Sequence, residues 1–522
     1  MTEVSFLHLL TSNQPPDELE IPQIQSAILE AQQRLHFLDE RLVELGSRVL
    51  EGDSSPPNGS ASVVADELDV TRVHLSILCE EQRAWILRLQ SPLSPVRRLP
   101  PEILALVFSF AFPSGDKAIP MDANSLLWRA SQVCRTWREI ICEGMQYIWS
   151  SIEIDCMKAE SYNLTSTLLE LALQRSGTRS LSIRFCFSRR NPLGVLSETE
   201  KRCLNLLTNN SFRWEELELD YVPIAVLDSL SIAVRGRIPL LRRLVILNVP
   251  MSLSIDTPST AEAFEFAPRL EHFSLSGYFR PSRFQLPWSQ LTSYTGSFRD
   301  IRDFFVVLEY ANNLATCDVF LRNFHPGFTI EHSNLRTLRI RGALDGLSRL
   351  RLPLLRTLVL DELIVQDLKI ISVFIRRTPT IEALEVHIPH ESGGGNSKDI
   401  LLDFMTACRN VSSLVFMGEV DVRTICSLLD MTDPIIASRA LMPRLTHLSL
   451  SVLSTANAEL ADVLAIMIES RQHPTLDHAD EQWATISSLT LHALRVPVVI
   501  LERLKPLEAL LGLRVAVKIA SI

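Results

Sequence analysis

The spacing of hydrophobic positions changes along the chain, and the first pattern predicts helices. Between residues 23 and 90, apolar side chains recur every three or four residues, which is typical of amphipathic helices. One series contains Ile28, Leu35, Leu42 and Val49, interleaved with Ala31, Leu38 and Leu45. A second series contains Val64, Leu68, Leu75, Leu78, Trp85 and Leu89.

The two helical series are separated by EGDSSPPNGS (residues 51–60), whose composition predicts a flexible connector. Two amphipathic helices with a short link favour an antiparallel hairpin. The alternative is a homodimer seam within residues 23–90. Thr71 and Gln82 interrupt the second series and favour the hairpin. Residues 1–22 are polar and proline-marked, and we expect a loosely ordered tail there.

The second pattern, from about residue 156 to the end, is a repeated phrase of the form apolar-x-x-apolar-x-apolar. The clearest copies begin at Trp214, Leu241, Leu270, Leu335, Leu355, Ile381, Val411, Leu445 and Ile486, with weaker ones near Leu181 and Leu314. Side chains alternate along a strand, so the second and third apolar residues of each copy share one face. Units of this kind bury that face only by stacking on one another.

The phrase resembles an irregular leucine-rich repeat, although the familiar Asn or Cys after the last strand position is mostly missing. The predicted fold class is therefore α/β. It comprises an N-terminal α-helical hairpin at 23–90, a small all-α domain at 94–155, and a curved leucine-rich-repeat-like α/β solenoid at 156–522. A different layered α/β arrangement is the alternative for the last region.

Residues 94–152 predict two short apolar helices. Pro100 and Pro101 suit a helix entry, and Glu102 suits the positive end of the helix dipole. One helical stripe then holds Ile103, Leu104, Val107, Phe108 and Ala111. The apolar face of the following helix holds Leu127, Ala130, Cys134, Trp137 and Ile141.

These phrases resemble the F-box family. Its opening Leu-Pro-x-Glu-(Ile/Leu)-Leu and following apolar pair have counterparts in Leu99, Pro100, Glu102, Ile103, Leu104, Val107 and Phe108. Its Val-Cys-(Arg/Lys)-x-Trp-Arg phrase is matched by Val133, Cys134, Arg135, Trp137 and Arg138, and its closing element by Ile148 and Trp149. The insert at 113–125 departs from the pattern, and we expect it to loop out.

The resemblance implies a substrate-recognition adaptor of a Skp1–cullin–F-box type ubiquitin ligase. A Skp1-like adaptor, which bridges to a cullin, would contact Leu99, Pro100, Glu102, Ile103, Leu104, Val107, Phe108, Val133, Cys134 and Trp137. One alternative is that these residues only form the core of an isolated subdomain. Another is a non-catalytic scaffold or self-association protein that acts independently of ubiquitylation.

F-box proteins with leucine-rich repeats grip a target protein with the repeats, and the resemblance implies the same here. The outward positions of the predicted strands are Arg243, Val245, His272, Ser274, Thr337, Arg339, Arg341, Thr357, Val359, His447 and Ser449. Arg339 and Arg341 lie in a locally basic stretch that suits an acidic or phosphorylated ligand. The alternative for each position is an ordinary solvated surface.

Composition and motifs exclude several function classes. A net charge of −10 argues against general nucleic-acid binding. The longest strongly apolar run is too short to span a membrane, and the N-terminus has no signal-peptide pattern. Nine cysteines without a CxxC pair indicate reduced thiols, so we expect a cytoplasmic or nuclear protein.

No catalytic motif or nucleophile–base pattern is present, and we expect no enzyme activity and no cofactor. His387 and His390 are separated by an extended spacing without an evident further ligand, so we predict no metal site there.

Overall fold

The computed structural model describes residues 5–52, 61–112, 118–157, 162–189, 195–249, 261–277, 280–298, 301–322, 329–388, 397–418, 421–432, 439, 441–451, 458–472, 484–493 and 498–519. The chain divides into two compact units. The first contains residues 1–117 and 124–148, and the second contains residues 118–123 and 149–522.

The first unit begins with an antiparallel helical hairpin, α1 (Glu20–Gly52) and α2 (Ala61–Gln90). A reciprocal cap starts α1. Asp17 Oδ1 accepts hydrogen bonds from the backbone N–H groups of Leu19 and Glu20, and Glu20 Oε2 accepts one from the Asp17 N–H. These bonds satisfy donors that a helix start leaves open. Residues 53–60 of the predicted connector lie outside the described residues.

Among the seam positions whose side chains the structure describes, which leave out Val49, Val64 and Leu68, the hairpin core differs from the prediction at Trp85. Trp85 is 38% exposed, whereas its neighbour Ile86 is buried with Leu89 against Ile24 and Ala31. Gln82, which interrupts the apolar series, faces this contact and donates to the Ala31 carbonyl at 3.2 Å. A polar residue in the seam is therefore satisfied by backbone of the other helix.

The predicted loose tail is instead partly packed, although most of residues 11–19 are exposed. Phe6 and Leu9, in a short 3₁₀ helix at Ser5–Leu10, are 3% and 1% exposed in the hairpin core. The Arg97 guanidinium donates to the Leu9 and Ser12 carbonyls at 2.9 and 2.8 Å. This long-range clasp has no local sequence signal, which is why the polar composition alone predicted disorder.

Three further short helices complete this unit: α3 (Pro101–Ala111), α4 (Leu126–Val133) and α5 (Arg135–Glu139). A single π-helical turn at Ile140–Gly144 continues α5.

The second unit contains a parallel sheet of fifteen strands that lie in chain order, together with a separate two-stranded sheet, β9 and β11. The strands are β1 (Ile119–Pro120), β2 (Ser151–Asp155), β3 (Leu181–Cys186), β4 (Trp214–Asp220), β5 (Arg243–Val249), β6 (His272–Gly277), β7 (Ser293–Phe298), β8 (Thr316–Leu321), β9 (Ile330–Glu331), β10 (Thr337–Gly342), β11 (Leu350–Arg351), β12 (Thr357–Asp361), β13 (Ala383–Ile388), β14 (Ser413–Gly418), β15 (His447–Ser451), β16 (Ser488–Ala493) and β17 (Arg514–Ile519).

Helices return the chain between many of these strands, as parallel pairing requires. They are α6 (Tyr162–Arg175), α7 (Glu198–Asn209), α8 (Ile224–Val234), α9 (Ile301–Tyr310), α10 (Leu368–Arg377), α11 (Ser397–Ala407), α12 (Val422–Leu429), α13 (Ala458–Gln472) and α14 (Val498–Leu511). The architecture is therefore α/β with a large parallel sheet.

The second and third apolar residues of every clear copy of the repeated phrase fall on a strand. The second apolar residues stand in register, so that Leu338 pairs with Leu358 and Leu358 with Leu384, all at most 1% exposed. The pattern missed β7 because its third apolar position is Gly296. The Tyr294 side chain fills that space, since a Cβ at residue 296 would lie 2.4 Å from the tyrosine oxygen.

The insert at 113–125 is only partly the loop that we expected. Residues 113–117 lie outside the described part of the chain. Ile119 and Pro120, however, form the first strand of the sheet, paired in parallel with Ile152 and Glu153 of β2. The apolar Ile119 side chain is 6% exposed, and its burial stabilises the pairing of this segment with β2.

Candidate functional site

Helix α3 has two apolar faces, and only one of them is buried. Pro101 occupies its first turn and Glu102 follows, as the sequence predicted for a helix start. Leu104 and Phe108 are each 4% exposed. The opposite face remains open to solvent and consists of Ile103 (43% exposed), Leu106 (53%), Val107 (47%) and Phe110 (83%).

The buried face of α3 packs on an aromatic core. The Phe108 ring meets Trp137 edge-on at a centroid distance of 4.8 Å and stacks on Phe112 at 5.6 Å. Trp137 is held by Cys134, whose Sγ accepts its backbone N–H at 3.4 Å and caps α5. The Cys-x-x-Trp spacing therefore builds a capped helix that presents an aromatic ring to Phe108.

The structure separates the residues that we predicted to contact an adaptor. Pro100, Glu102, Ile103, Val107 and Val133 are exposed, and Leu99, Cys134 and Trp137 are half-buried. Leu104 and Phe108 lie in the core, where a partner cannot reach their side chains in this conformation, because they pack on the neighbouring helices.

Sequence reasoning missed Leu106 and Phe110 on the exposed face. They follow Ile103 by three and seven residues, a helical spacing that was visible in the sequence. A helix that is apolar on all sides does not reveal which side faces the core, so the pattern alone left the choice open.

The two faces of α3 predict different responses to truncation. Phe108→Ala should lower the free energy of unfolding by about 3–5 kcal/mol, since it leaves a cavity between Trp137 and Phe112. Val107→Ala, one residue away and 47% exposed, should change it by less than about 1 kcal/mol. Thermal and urea unfolding of the two variants measure the difference. Equal losses would show that both side chains are buried.

The outward positions predicted to contact a target protein lie on one face of the sheet, on β5, β6, β10, β12 and β15. Arg243, His272 and His447 are exposed, and Ser274, Thr337, Arg339, Arg341 and Thr357 are half-buried. Val245, Val359 and Ser449 are only 7–8% exposed. These three predicted contact residues therefore offer a partner little surface.

The predicted basic stretch on this face is electrically balanced. Arg339 Nε lies 2.7 Å from Asp361 Oδ2, and Arg341 Nη2 lies 2.9 Å from Asp318 Oδ1. The carboxylates come from the neighbouring strands β12 and β8, so the sequence around Arg339 and Arg341 does not show them. The Arg339 and Arg341 guanidinium groups are therefore already paired with carboxylates of this chain, which does not support the predicted contact with an acidic or phosphorylated ligand.

A histidine continues this network. His387 Nδ1 lies 3.1 Å from Asp361 Oδ1, and its Nε2 lies 2.7 Å from Glu385 Oε1. Farther along the sheet, His492 Nε2 lies 2.9 Å from Ser449 Oγ. Sequence reasoning overlooked Glu385, which lies two residues before His387 on the same strand, and could not reveal Asp361, which belongs to the preceding strand β12. His390 lies outside the described residues.

This network makes the second unit sensitive to acid. The hydrogen bond with His387 lowers the pKa of Glu385 below its ordinary 4.5, and burial lowers the pKa of His492 below 6.5. In both cases the folded state binds protons less readily than the unfolded chain, so stability falls as pH decreases. Glu385→Gln should flatten the decline below about pH 4.5 in urea unfolding at several pH values. An unchanged acid slope would contradict this.

The buried cysteines of the second unit are not suited to nucleophilic chemistry. Burial raises the pKa of the Cys203 and Cys426 thiols to about 12, and of Cys156, Cys317 and Cys408 further. Such thiols stay protonated at neutral pH.

Within the described ranges, no group of three or more His, Cys, Asp or Glu side chains is arranged to hold a metal ion. Among the described helices, none is both long and apolar enough to cross a membrane.

Comparison with models of known protein families identifies a domain in the first half of the chain. The family model for the F-box-like domain matches residues 96–155, which include α3, α4, α5 and β2. No curated protein matches the chain. The matched range contains both the aromatic core around Phe108 and the open face of α3. The chain therefore carries an F-box-like domain at residues 96–155.

Proposed function

We propose that this chain is the substrate-recognition adaptor of a Skp1–cullin–F-box type ubiquitin ligase. The observation that carries the proposal is the exposed apolar face of α3, inside the F-box-like domain. Four large apolar side chains on one short helix are a poor surface for water and a good one for a protein partner.

A Skp1-like adaptor would bury the open face of α3, namely Ile103, Leu106, Val107 and Phe110. Pro100, Glu102 and Val133 are exposed in the same unit and would extend this contact. Leu104, Phe108 and Trp137 would act indirectly, since they fix the orientation of α3. The adaptor in turn would bridge to a cullin.

The second unit would hold the target protein. Its strands are all parallel, follow chain order and stand in register, which is the arrangement expected of a leucine-rich-repeat solenoid. Such a sheet presents rows of outward side chains on a rigid surface. Here those rows combine exposed side chains, such as Arg243, His272 and His447, with the ion-paired network around Asp361.

On this proposal the chain is not an enzyme. It contributes proximity, since a target held near charged ubiquitin is at a high effective concentration. It would act in the cytoplasm or nucleus, where the ligase scaffold operates. The alternative, a repeat scaffold independent of ubiquitylation, predicts adaptor-free complexes and no ubiquitin transfer.

The test is reconstitution. The full chain is co-expressed with a Skp1-like adaptor and then supplied with cullin, RING protein, charged E2 and ubiquitin. We expect the chain and the adaptor to co-elute, and ubiquitin transfer to the chain or its target to require both. A chain that folds but elutes without the adaptor would refute the proposal. Co-elution without any ubiquitin transfer would favour the scaffold.

A further inference from the structure

Helix α2 carries a second row of apolar residues, on the side that faces away from α1. The side chains that pack toward α1 include Leu75, Leu78, Cys79 and Leu89, all buried or half-buried. The other row, which we call the outer seam, consists of Val70, Val73, Ile77, Glu80, Ala84 and Leu87.

The outer seam has the spacing of a coiled coil. Its positions alternate by three and four residues, which is the a/d pattern of a heptad repeat. Val70, Val73, Ile77 and Leu87 are 70%, 58%, 52% and 68% exposed. Single exposed apolar residues are ordinary on protein surfaces, but an apolar heptad row along about 26 Å of helix, interrupted at Glu80, is not. The hairpin therefore leaves a coiled-coil surface unused.

We propose that the outer seam joins two copies of this chain through antiparallel packing of their α2 helices. In that arrangement a positions meet d positions, so Val70 packs on Leu87 of the second copy and Val73 on Ala84 of the second copy. In these two layers each side chain meets one of different size, as interdigitation requires, whereas the central layer places Ile77 against Glu80 of the second copy. The contact is two-fold symmetric and closes on itself.

Charges beside the seam select this orientation. In the antiparallel register, His74 of one copy faces Glu81 of the second copy, and the symmetry produces this favourable pair twice. In a parallel, in-register pair, Arg83 would instead face Arg88 of the second copy, and this repulsion would also occur twice. All four side chains are exposed. Arg83 also pairs with Asp39 of α1 at 3.1 Å and with Glu80 at 2.6 Å, which weakens its repulsion of Arg88, so the His74–Glu81 pair carries most of the preference for the antiparallel orientation.

Glu80 is the polar member of the seam and lies near the two-fold axis. Arg83 Nη1, one turn away on the same helix, lies 2.6 Å from Glu80 Oε1 and offsets its charge. A single polar residue at a core position weakens a coiled coil but fixes its register. Glu80 would therefore keep the pair reversible and aligned.

Sedimentation velocity of the full chain tests the proposal, independently of any adaptor. At micromolar concentration we expect twice the 58.8 kDa chain mass. Val73→Asp with Ile77→Asp should raise the dimer Kd by more than about a hundredfold, because it places charges in the apolar seam. Glu80→Leu should lower it by about tenfold or more. Leu29→Asp with Val43→Asp is the matched control on α1, at sites 56% and 69% exposed, and should leave the dimer intact.

Disulfide crosslinking tests the orientation. Val70→Cys alone should crosslink weakly, because residues 70 of the two copies lie far apart in an antiparallel pair. Val70→Cys with Leu87→Cys should crosslink strongly, with the 70–87 peptide identified by mass spectrometry. A wild-type chain of single mass, or a V73D/I77D variant that remains dimeric, would overturn the proposal. Strong crosslinking by V70C alone would overturn the antiparallel register.

Discussion

Replacing Ile103, Val107 and Phe110 together by aspartate should abolish co-elution with a Skp1-like adaptor while the chain stays folded. The three side chains are 43%, 47% and 83% exposed, so their replacement costs the free chain little. In the complex each aspartate would lose its hydration without an ion partner. We expect Kd to increase by more than about a hundredfold, as for the loss of a central interface cluster.

A charge on another exposed apolar site separates this effect from a general one. Ile232 in α8 is 90% exposed, and Ile232→Asp should leave adaptor binding unchanged. Circular dichroism and thermal unfolding of both variants should match wild type. If the triple variant binds with wild-type affinity, the open face of α3 is not the adaptor surface. Unfolding of the triple variant would show that this face is buried.

Gly418→Ala should strongly destabilise the second unit. Gly418 ends β14 with φ +110°, a conformation that side chains disfavour, and it pairs with Ile388 of β13. A Cβ at this position would lie 1.7 Å from the Ile388 carbonyl oxygen. Because the obstacle is backbone of a paired strand, the strands must separate. We expect a loss of at least about 3 kcal/mol in the free energy of unfolding.

Gly236→Ala is the matched control for this clash. Gly236 also has a positive φ, +73°, but a Cβ there would meet nothing within 4 Å. Gly236→Ala should therefore lower the free energy of unfolding by only about 1–2 kcal/mol, the cost of a side chain in the left-handed conformation. Urea unfolding followed by circular dichroism compares the two variants. Equal losses would mean that β14 moves aside at no cost and that conformational strain alone matters.

Many strands were predictable from sequence because their core positions carry large apolar side chains, although β2, with buried Ile152 and Ile154, was missed. The pattern predicted β10, β12 and β13 from Leu338, Leu358 and Leu384, since burial on one face requires apolar residues at alternate positions. β7 was missed because its third position is Gly296, where the Tyr294 side chain fills the space of an apolar side chain. β1 escaped because two residues inside an insert are too short to show a period.

The candidate site was predictable in content but not in orientation. Local phrases place Leu104, Val107 and Phe108 on one helix, yet which of them faces the core depends on Trp137, from another helix. The balanced charges at Arg339 and Arg341 also depend on partners from other strands. The sequence pattern therefore predicted most of the helices and strands, but it did not predict the contacts between them.

The strand order of the large sheet has a consequence for how the chain folds and diversifies. Every strand of this sheet pairs with the strands nearest to it in chain order, apart from the small detour through β9 and β11. Contacts between such neighbours close short loops, so folding can start in one region and spread along the sheet. Gain or loss of one repeat, meaning a strand and its return segment, by gene duplication or deletion would lengthen or shorten the outward face. The pairings among the remaining strands would stay unchanged.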